Sequence, residues 1–253
     1  MTTFKIILEY DGTRYSGWQE QKNARTVMGE IRAAAQQVFG DVFEMQGAGR
    51  TDAGVHALGQ VMHIKAASEI RHSPDVIRRR LNDLLPADIA ILSVERAPRN
   101  FHARHDARAR VYLYQISRRK QAFIKKYVWW VKDELDIEQM SKAASILVGR
   151  HDFLCFRASD PSRPGESTIV EIEAAAIEAE QDIIQFRIAG SHFLWRMVRR
   201  VVGALVKVGK REISIEDFGK LLDGRCDAAY DVAAWTAPAS GLFLEEIRYN
   251  GGV

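Results

Sequence analysis

Gly47-Ala48-Gly49-Arg50-Thr51-Asp52-Ala53-Gly54-Val55-His56-Ala57 is the stretch from which the chain is best read. Three glycines surround an arginine and an aspartate, which predicts a tight backbone presenting two charged side chains. It is not a P-loop, because no Gly-Lys-Ser/Thr follows. It is not the dinucleotide fingerprint either, since the third glycine falls five residues after the second rather than three. On composition alone, an ordinary turn holding an Arg–Asp pair is the simpler reading.

Working outward, both flanks alternate strands and helices. Phe4–Asp11 reads as a strand ending in an Asp11-Gly12 turn. Thr26 is placed to cap a helix whose apolar positions are Val27, Ile31, Ala34, Ala35 and Val38, closed by Gly40. Gln60–Lys65 is a strand; Ser73-Pro74 opens a helix with Ile77, Leu81, Leu84 and Leu85 as its buried stripe; Ile89–Val94 is a strand. The second half repeats the alternation. Val111–Ile116 is a strand, and Asp136-Ile137-Glu138-Gln139 resembles a capping box leading to Met140, Ala144 and Leu147. Ile169–Glu180 and Ile183–Ile188 are strands. A long helix is expected from a Ser191 cap to about Val208, a last helix from Ser214 to near Gly224, and a final strand over Leu242–Tyr249. The expected architecture is α+β, in two α/β halves, 1–104 and 105–253, split near residues 97–105. No Gly/Ser linker marks the split, so the halves are expected to share a continuous sheet.

Hydrophobic residues make up 47% and charged residues 27% of the 253, which excludes a disordered chain. Apolar runs are short and interrupted, so neither a membrane span nor a signal peptide is expected. Cys155 and Cys226 lie far apart without CxxC spacing. They are read as two reduced thiols of a cytoplasmic protein.

Charge is segregated. Arg96 to Lys126 holds seven Arg and three Lys against one acid, Asp106; Arg187 to Arg211 holds five Arg and two Lys and no acid. Between them, Glu166 to Asp182 holds five Glu and one Asp and no base. Such segregation suits a polyanionic partner, although a solvated basic face would look the same. In the helix from Phe193, Arg196, Arg199, Arg200, Gly203 and Lys207 fall opposite an apolar face. In Arg110-Val111-Tyr112-Leu113-Tyr114-Gln115, alternation puts Tyr112 and Tyr114 on one strand face beside an Arg-rich run. That pattern serves either packing or base stacking. His102 with His105, and His151 with Cys155, lack the spacing or the third group of a metal or nucleophile site and are expected to be structural or RNA-facing.

Taken in order, these pieces resemble the bacterial tRNA pseudouridine synthase A family over nearly the whole chain. The resemblance begins with Tyr10-Asp11-Gly12-Thr13, Gly17-Trp18-Gln19 and Thr26-Val27, and the Gly47–Ala57 stretch is its signature. It continues through Leu81-Asn82-Asp83-Leu84-Leu85-Pro86, Phe101-His102-Ala103-Arg104 and Arg110–Tyr114. His151-Asp152-Phe153, Phe193-Leu194, Met197-Val198-Arg199 and Ala237-Pro238-Ala239-Ser240-Gly241-Leu242 complete it. Three places depart from the commonest pattern: Arg196, His105-Asp106 and Leu154.

The resemblance implies the pseudouridine synthase fold, two α/β halves sharing a central, mostly antiparallel sheet flanked by helices, with the active cleft between them. It implies a homodimer, no cofactor, no metal, and isomerisation of uridines 38, 39 and 40 in the tRNA anticodon stem-loop. By the same resemblance Asp52 is the catalytic aspartate, Tyr112 contacts the uracil, and Arg199 pairs with Asp52. Arg50 helps hold the target nucleotide out of the stack, and Leu242 joins the substrate contacts. Arg50, Arg104, Arg110, Arg196 and Arg200 are the candidate RNA contacts. The competing class is a tRNA-binding protein or chaperone without catalysis, which would have no reason to combine Asp52, Tyr112 and Arg199.

Overall fold

The computed structural model describes residues 2–40, 43–67, 69–159 and 165–250. It is a mixed α/β protein that divides into two compact units, Met1–Arg108 with Phe243–Val253, and Ala109–Leu242.

The first unit is built on β1 (Thr2–Tyr10), β2 (Phe43–Gly47), β3 (His56–Ala66) and β4 (Ile89–Ala97). β1 lies between β4 and β3, antiparallel to both. Phe4, Ile6 and Leu8 alternate along it and are fully buried, as a half-covered strand requires. Helix α1 (Val27–Phe39) starts where Thr26 accepts a hydrogen bond from Gly29 N–H, and Phe39 meets Phe4 with ring centroids 5.6 Å apart. Helix α2 (Pro74–Leu84) is capped by Ser73. Its Asn82 side chain donates to Ile91 O at 3.0 Å and accepts from Ile91 N–H at 2.7 Å. This clamp sits where the β1–β4 register shifts, leaving Leu92 exposed.

β3 has different partners along its length. Its C-terminal part pairs antiparallel with β2, from Phe43 opposite Ala66 to Gly47 opposite Met62. Its first residues, His56 and Ala57, pair parallel with Phe243 and Leu244 of the last strand, β10 (Leu242–Tyr249). β10 therefore belongs largely to the first unit, whereas the sequence reading assigned it to a contiguous half 105–253. A parallel pairing across so many residues leaves no local sign.

The second unit carries the antiparallel order β5 (Ala107–Ser117), β9 (Ile183–Gly190), β8 (Ile169–Glu180) and β7 (Gly149–Asp152). A two-residue strand, β6 (Trp129–Trp130), runs parallel to the end of β5. Helices α3 (Ile137–Ser145), α4 (Met197–Gly209) and α5 (Ile215–Leu222) complete it, with Asp136 and Ser214 capping α3 and α5. Helix α4 begins five residues later than the Ser191 cap would give. Ser191 N–H is engaged by Glu171 O and Trp195 O by Ala158 N–H, and Arg196 is left-handed at φ 59°. Those tertiary partners exclude helix before Met197.

Cys155 and Cys226 form a disulfide, with Cα atoms 5.4 Å apart. This corrects the reading of two reduced thiols. The turn after α5, with Gly224 at φ 72°, brings Asp223 alongside Asp152 and folds residue 226 back over residue 155. Among the described residues no helix is long and apolar enough to cross a membrane.

Candidate active site

The Gly-rich stretch is the connection from β2 to β3, and other elements hold it along its length. Ala48 N–H donates to Val61 O at 2.7 Å, and Gln60 donates to Gly49 O at 3.0 Å. Thr51 is fixed on both its backbone and its side chain. Trp18 N–H donates to Thr51 O at 3.1 Å, and the Thr51 hydroxyl lies 2.8 Å from the Tyr10 hydroxyl. Residues 52–55 form a turn closed by Val55 N–H on Asp52 O at 3.1 Å, with Gly54 at φ 78° in the position that demands a left-handed residue. Gly54 N–H donates to Tyr15 O. Asp52 is thus half-buried on a braced turn, and Arg50, in the same loop, is exposed.

His56 closes the loop. It is 1% exposed and stacks on Phe243 at 4.8 Å. Its Nδ1 accepts from Gly12 N–H at 3.1 Å. A Cβ on Gly12 would fall 1.9 Å from Val55 O, so this turn reaches the loop only because residue 12 is glycine.

In the second unit, Tyr112 lies on β5 opposite Ile188, 9% exposed, with the Phe193 ring edge-on at 5.1 Å. Tyr114, which alternation groups with it, is fully buried and donates to Pro238 O at 2.7 Å. Burial pushes its phenol well above the usual range, with the Arg199 guanidinium opposing. Arg199, on the first turn of α4, donates from Nε to Ala237 O at 2.7 Å, and Ala237 N–H returns to Arg199 O at 3.1 Å. Tyr114 and Arg199 therefore hold adjacent carbonyls of one segment. Leu242 follows that segment and is buried.

The ligand atoms of Glu44, His63 and His102 lie within 4.8 Å of one another, a spacing that could suit a metal ion. The donor chemistry does not suit one. His63 Nδ1 accepts Ala103 N–H, and His102 Nδ1 accepts Arg104 and His105 N–H. Each neutral ring then carries its proton on Nε2, and His63 Nε2 faces Glu44 Oε1 at 3.2 Å. A ligating histidine instead gives up one nitrogen and donates from the other. Burial holds both rings below the ordinary histidine range, in the neutral form.

The model of one family, described as tRNA pseudouridine synthase, matches residues 6–106 and 143–250. The chain belongs to the tRNA pseudouridine synthase family. Relatives named tRNA pseudouridine synthase A are similar over their whole length. That of Thermotoga neapolitana is 41% identical across 98% of this chain and 100% of its own. Those of Thermotoga maritima and Acetivibrio thermocellus are each 40% identical with the same coverage. The family is one of isomerases, and tRNA is its substrate.

Within this synthase fold the candidate RNA arginines differ in setting. Arg110 donates to Ser191 O at 2.8 Å, and Arg200 donates to Arg157 O, its buried Nε without a partner among the described residues. These two brace backbone. Arg196 is exposed and lies over the Trp195 ring at 5.0 Å, and Arg50 is exposed. Arg104 is half-buried beside His102. Sequence reasoning did not single out Gly12, Thr51 or His56 as the braces of Asp52. The family motifs Tyr10–Thr13 and Gly47–Ala57 contained all three.

Proposed function

We propose that the protein isomerises uridine to pseudouridine at positions 38, 39 and 40 of the tRNA anticodon stem-loop, with Asp52 as the nucleophile. The reaction breaks the bond from ribose C1′ to uracil N1 and joins C1′ to C5. C5 gives up a proton and N1 gains one, so the formula is unchanged. An ionised carboxylate starts this by attacking C1′ or by abstracting a proton toward a glycal. Tyr112 presents its ring to the extruded uracil, and Arg199 supplies the cation that favours the charged carboxylate. Arg50 helps hold the target out of the stack, against an extrusion cost of a few kcal/mol.

The observation that supports this reading is the bracing of Asp52. A carboxylate on a loop held at Ala48, Gly49, Thr51, Gly54 and Val55 is fixed before the substrate arrives. Such pre-organisation is what catalysis by position requires, and tRNA binding alone has no use for it. The test is Asp52→Ala. It should bind tRNA as the parent does and release no tritium from C5-labelled uridine. Turnover by that variant would refute the assignment. Mapping pseudouridine in bulk tRNA from cells lacking the protein tests the positions.

A further inference from the structure

The chain between β5 and β6 carries chemistry that the isomerisation does not use. From Arg118 to Lys126 it reads Arg-Arg-Lys-Gln-Ala-Phe-Ile-Lys-Lys, five bases and no acid. Phe123 is 98% exposed. Trp130 is 43% exposed, and Lys120 Nζ lies 6.0 Å from its ring centroid. Neighbouring structure holds the segment at both ends. At its start, Arg118 N–H donates to Asp182 O at 2.9 Å, Ser117 Oγ donates to Arg119 O at 2.7 Å, and Arg119 pairs with Asp182 at 2.6 Å. At its end, Tyr127 N–H donates to Ile124 O at 2.8 Å, Gln115 donates to Tyr127 O at 3.3 Å, and Val128 is buried. A braced loop thus presents an aromatic ring, with Lys120, Lys125 and Lys126 exposed beside it.

We propose that this loop is a second tRNA contact, in which Phe123 stacks on an unpaired base and Lys120 and Lys125 bind neighbouring phosphates. An exposed ring among cations is the chemistry by which unpaired nucleotides are held without sequence choice. The charge favours a polyanion over a second copy, whose same loop carries the same sign. The distance favours a folded RNA. β5 ends at Ser117, five residues past Tyr112 or about 17 Å at strand rise, so the start of the loop lies farther than one extruded nucleotide reaches. The inference rests on the reading that Tyr112 faces the target uracil.

The test compares Phe123→Ala, and the pair Lys120→Ala with Lys125→Ala, against the parent. Substrates are full-length tRNA and an isolated anticodon stem-loop hairpin. Phe123→Ala should raise the Kd and KM for tRNA at least about fivefold, leave kcat unchanged, and leave hairpin binding unchanged. The lysine pair should lower the slope of log Kd against log salt by about two. Melting of Phe123→Ala should match the parent, because its side chain is in solvent. Unaltered tRNA affinity overturns the proposal. So does an equal loss on the hairpin, which would put the loop at the target nucleotide. A change in sedimentation mass also overturns it, since the surface would then bind another protein chain. Binding is read without turnover, so a parent that bound tRNA but formed no pseudouridine would refute the proposed function and not this contact.

Discussion

Gly12→Ala tests the link between fold and chemistry most directly. The added Cβ would stand 1.9 Å from Val55 O and 2.6 Å from Val55 C. Ordinary contact begins at 3.4 Å, so the two must separate by 3.4 − 1.9 = 1.5 Å. Neither side yields easily. Residue 12 is tied by its N–H to His56 Nδ1, and the preceding Asp11 N–H is tied to Asp88 O at 3.0 Å. Val55 is 2% exposed and closes the Asp52 turn. Sharing the displacement moves the turn by about 1 Å, and misplacement on that scale costs about 100-fold in rate. Overpacking of this kind costs about 1–3 kcal/mol, or about 3–10 °C in a protein of this size. The assay is tritium release under saturating tRNA, beside a thermal melt. Gly49→Ala is the internal control. Its Cβ would meet nothing within 4 Å, so its stability should stay within about 0.5 kcal/mol of the parent's. A Gly12→Ala variant with parental kcat and Tm would refute the reasoning, as would a Gly49→Ala variant equally destabilised.

Three other outcomes follow from named contacts. The Cys155–Cys226 bond spans a sequence separation of 71, so Cys226→Ser should cost up to about 4 kcal/mol by chain entropy. The parent's melting temperature should fall with dithiothreitol and the variant's should not; a parent indifferent to reductant would contradict the bond. Arg199→Lys keeps the charge and loses the Nε bond to Ala237 O, so kcat should drop well before tRNA affinity does. An effect on affinity alone would make Arg199 an RNA contact instead. Burial lowers His63 and His102 below their unfolded value near 6.5, so folding disfavours their protonated forms. Their contribution is complete above about pH 6.5 and is lost as pH falls toward the folded values. The pKa of Glu44, lowered by its bond to His63, acts in the same direction at lower pH. Tm should therefore be flat from pH 7 to 8 and fall toward pH 5, less steeply in His63→Gln; a Tm that rose on acidification would reverse the sign argument.

Local signals in the sequence were dependable, and partners far along the chain were not visible in it. Thr26, Ser73, Asp136 and Ser214 cap the helices they precede, because a cap is a bond to an N–H three residues on. β8 and β10 occupy the spans their alternation gave. α4 starts later than its sequence suggests because Ser191 N–H is engaged by β8 and Trp195 O by Ala158. The disulfide and the allegiance of β10 depend on tertiary neighbours with no trace in spacing. The site shows the same division. The glycines made Asp52 legible as a charge on a tight turn, whereas its proposed role came from family motifs. The bracing by Tyr10, Gly12 and Trp18 appeared only once β1 and the turn after it were folded against the loop.

The departures from the family pattern also gain a physical reading. His105-Asp106 follows Phe101–Arg104, the stretch that carries the candidate RNA contact Arg104. In the fold, the pair closes its own turn. Asp106 Oδ2 accepts His102 N–H at 2.8 Å, Asp106 N–H donates to His102 O at 3.0 Å, and His105 N–H donates to His102 Nδ1. The ring of His102 is thereby set 4.8 Å from that of His63, whose Nδ1 takes Ala103 N–H. Arg104 is thus carried on a turn whose backbone is fixed from both sides. The opposite holds at Arg196, which sits exposed at a left-handed residue before α4, against the Trp195 ring. Among the described residues no backbone carbonyl accepts from its side chain. Between His105-Asp106 and Arg196, Arg196 is therefore the one expected to alter how this synthase grips RNA.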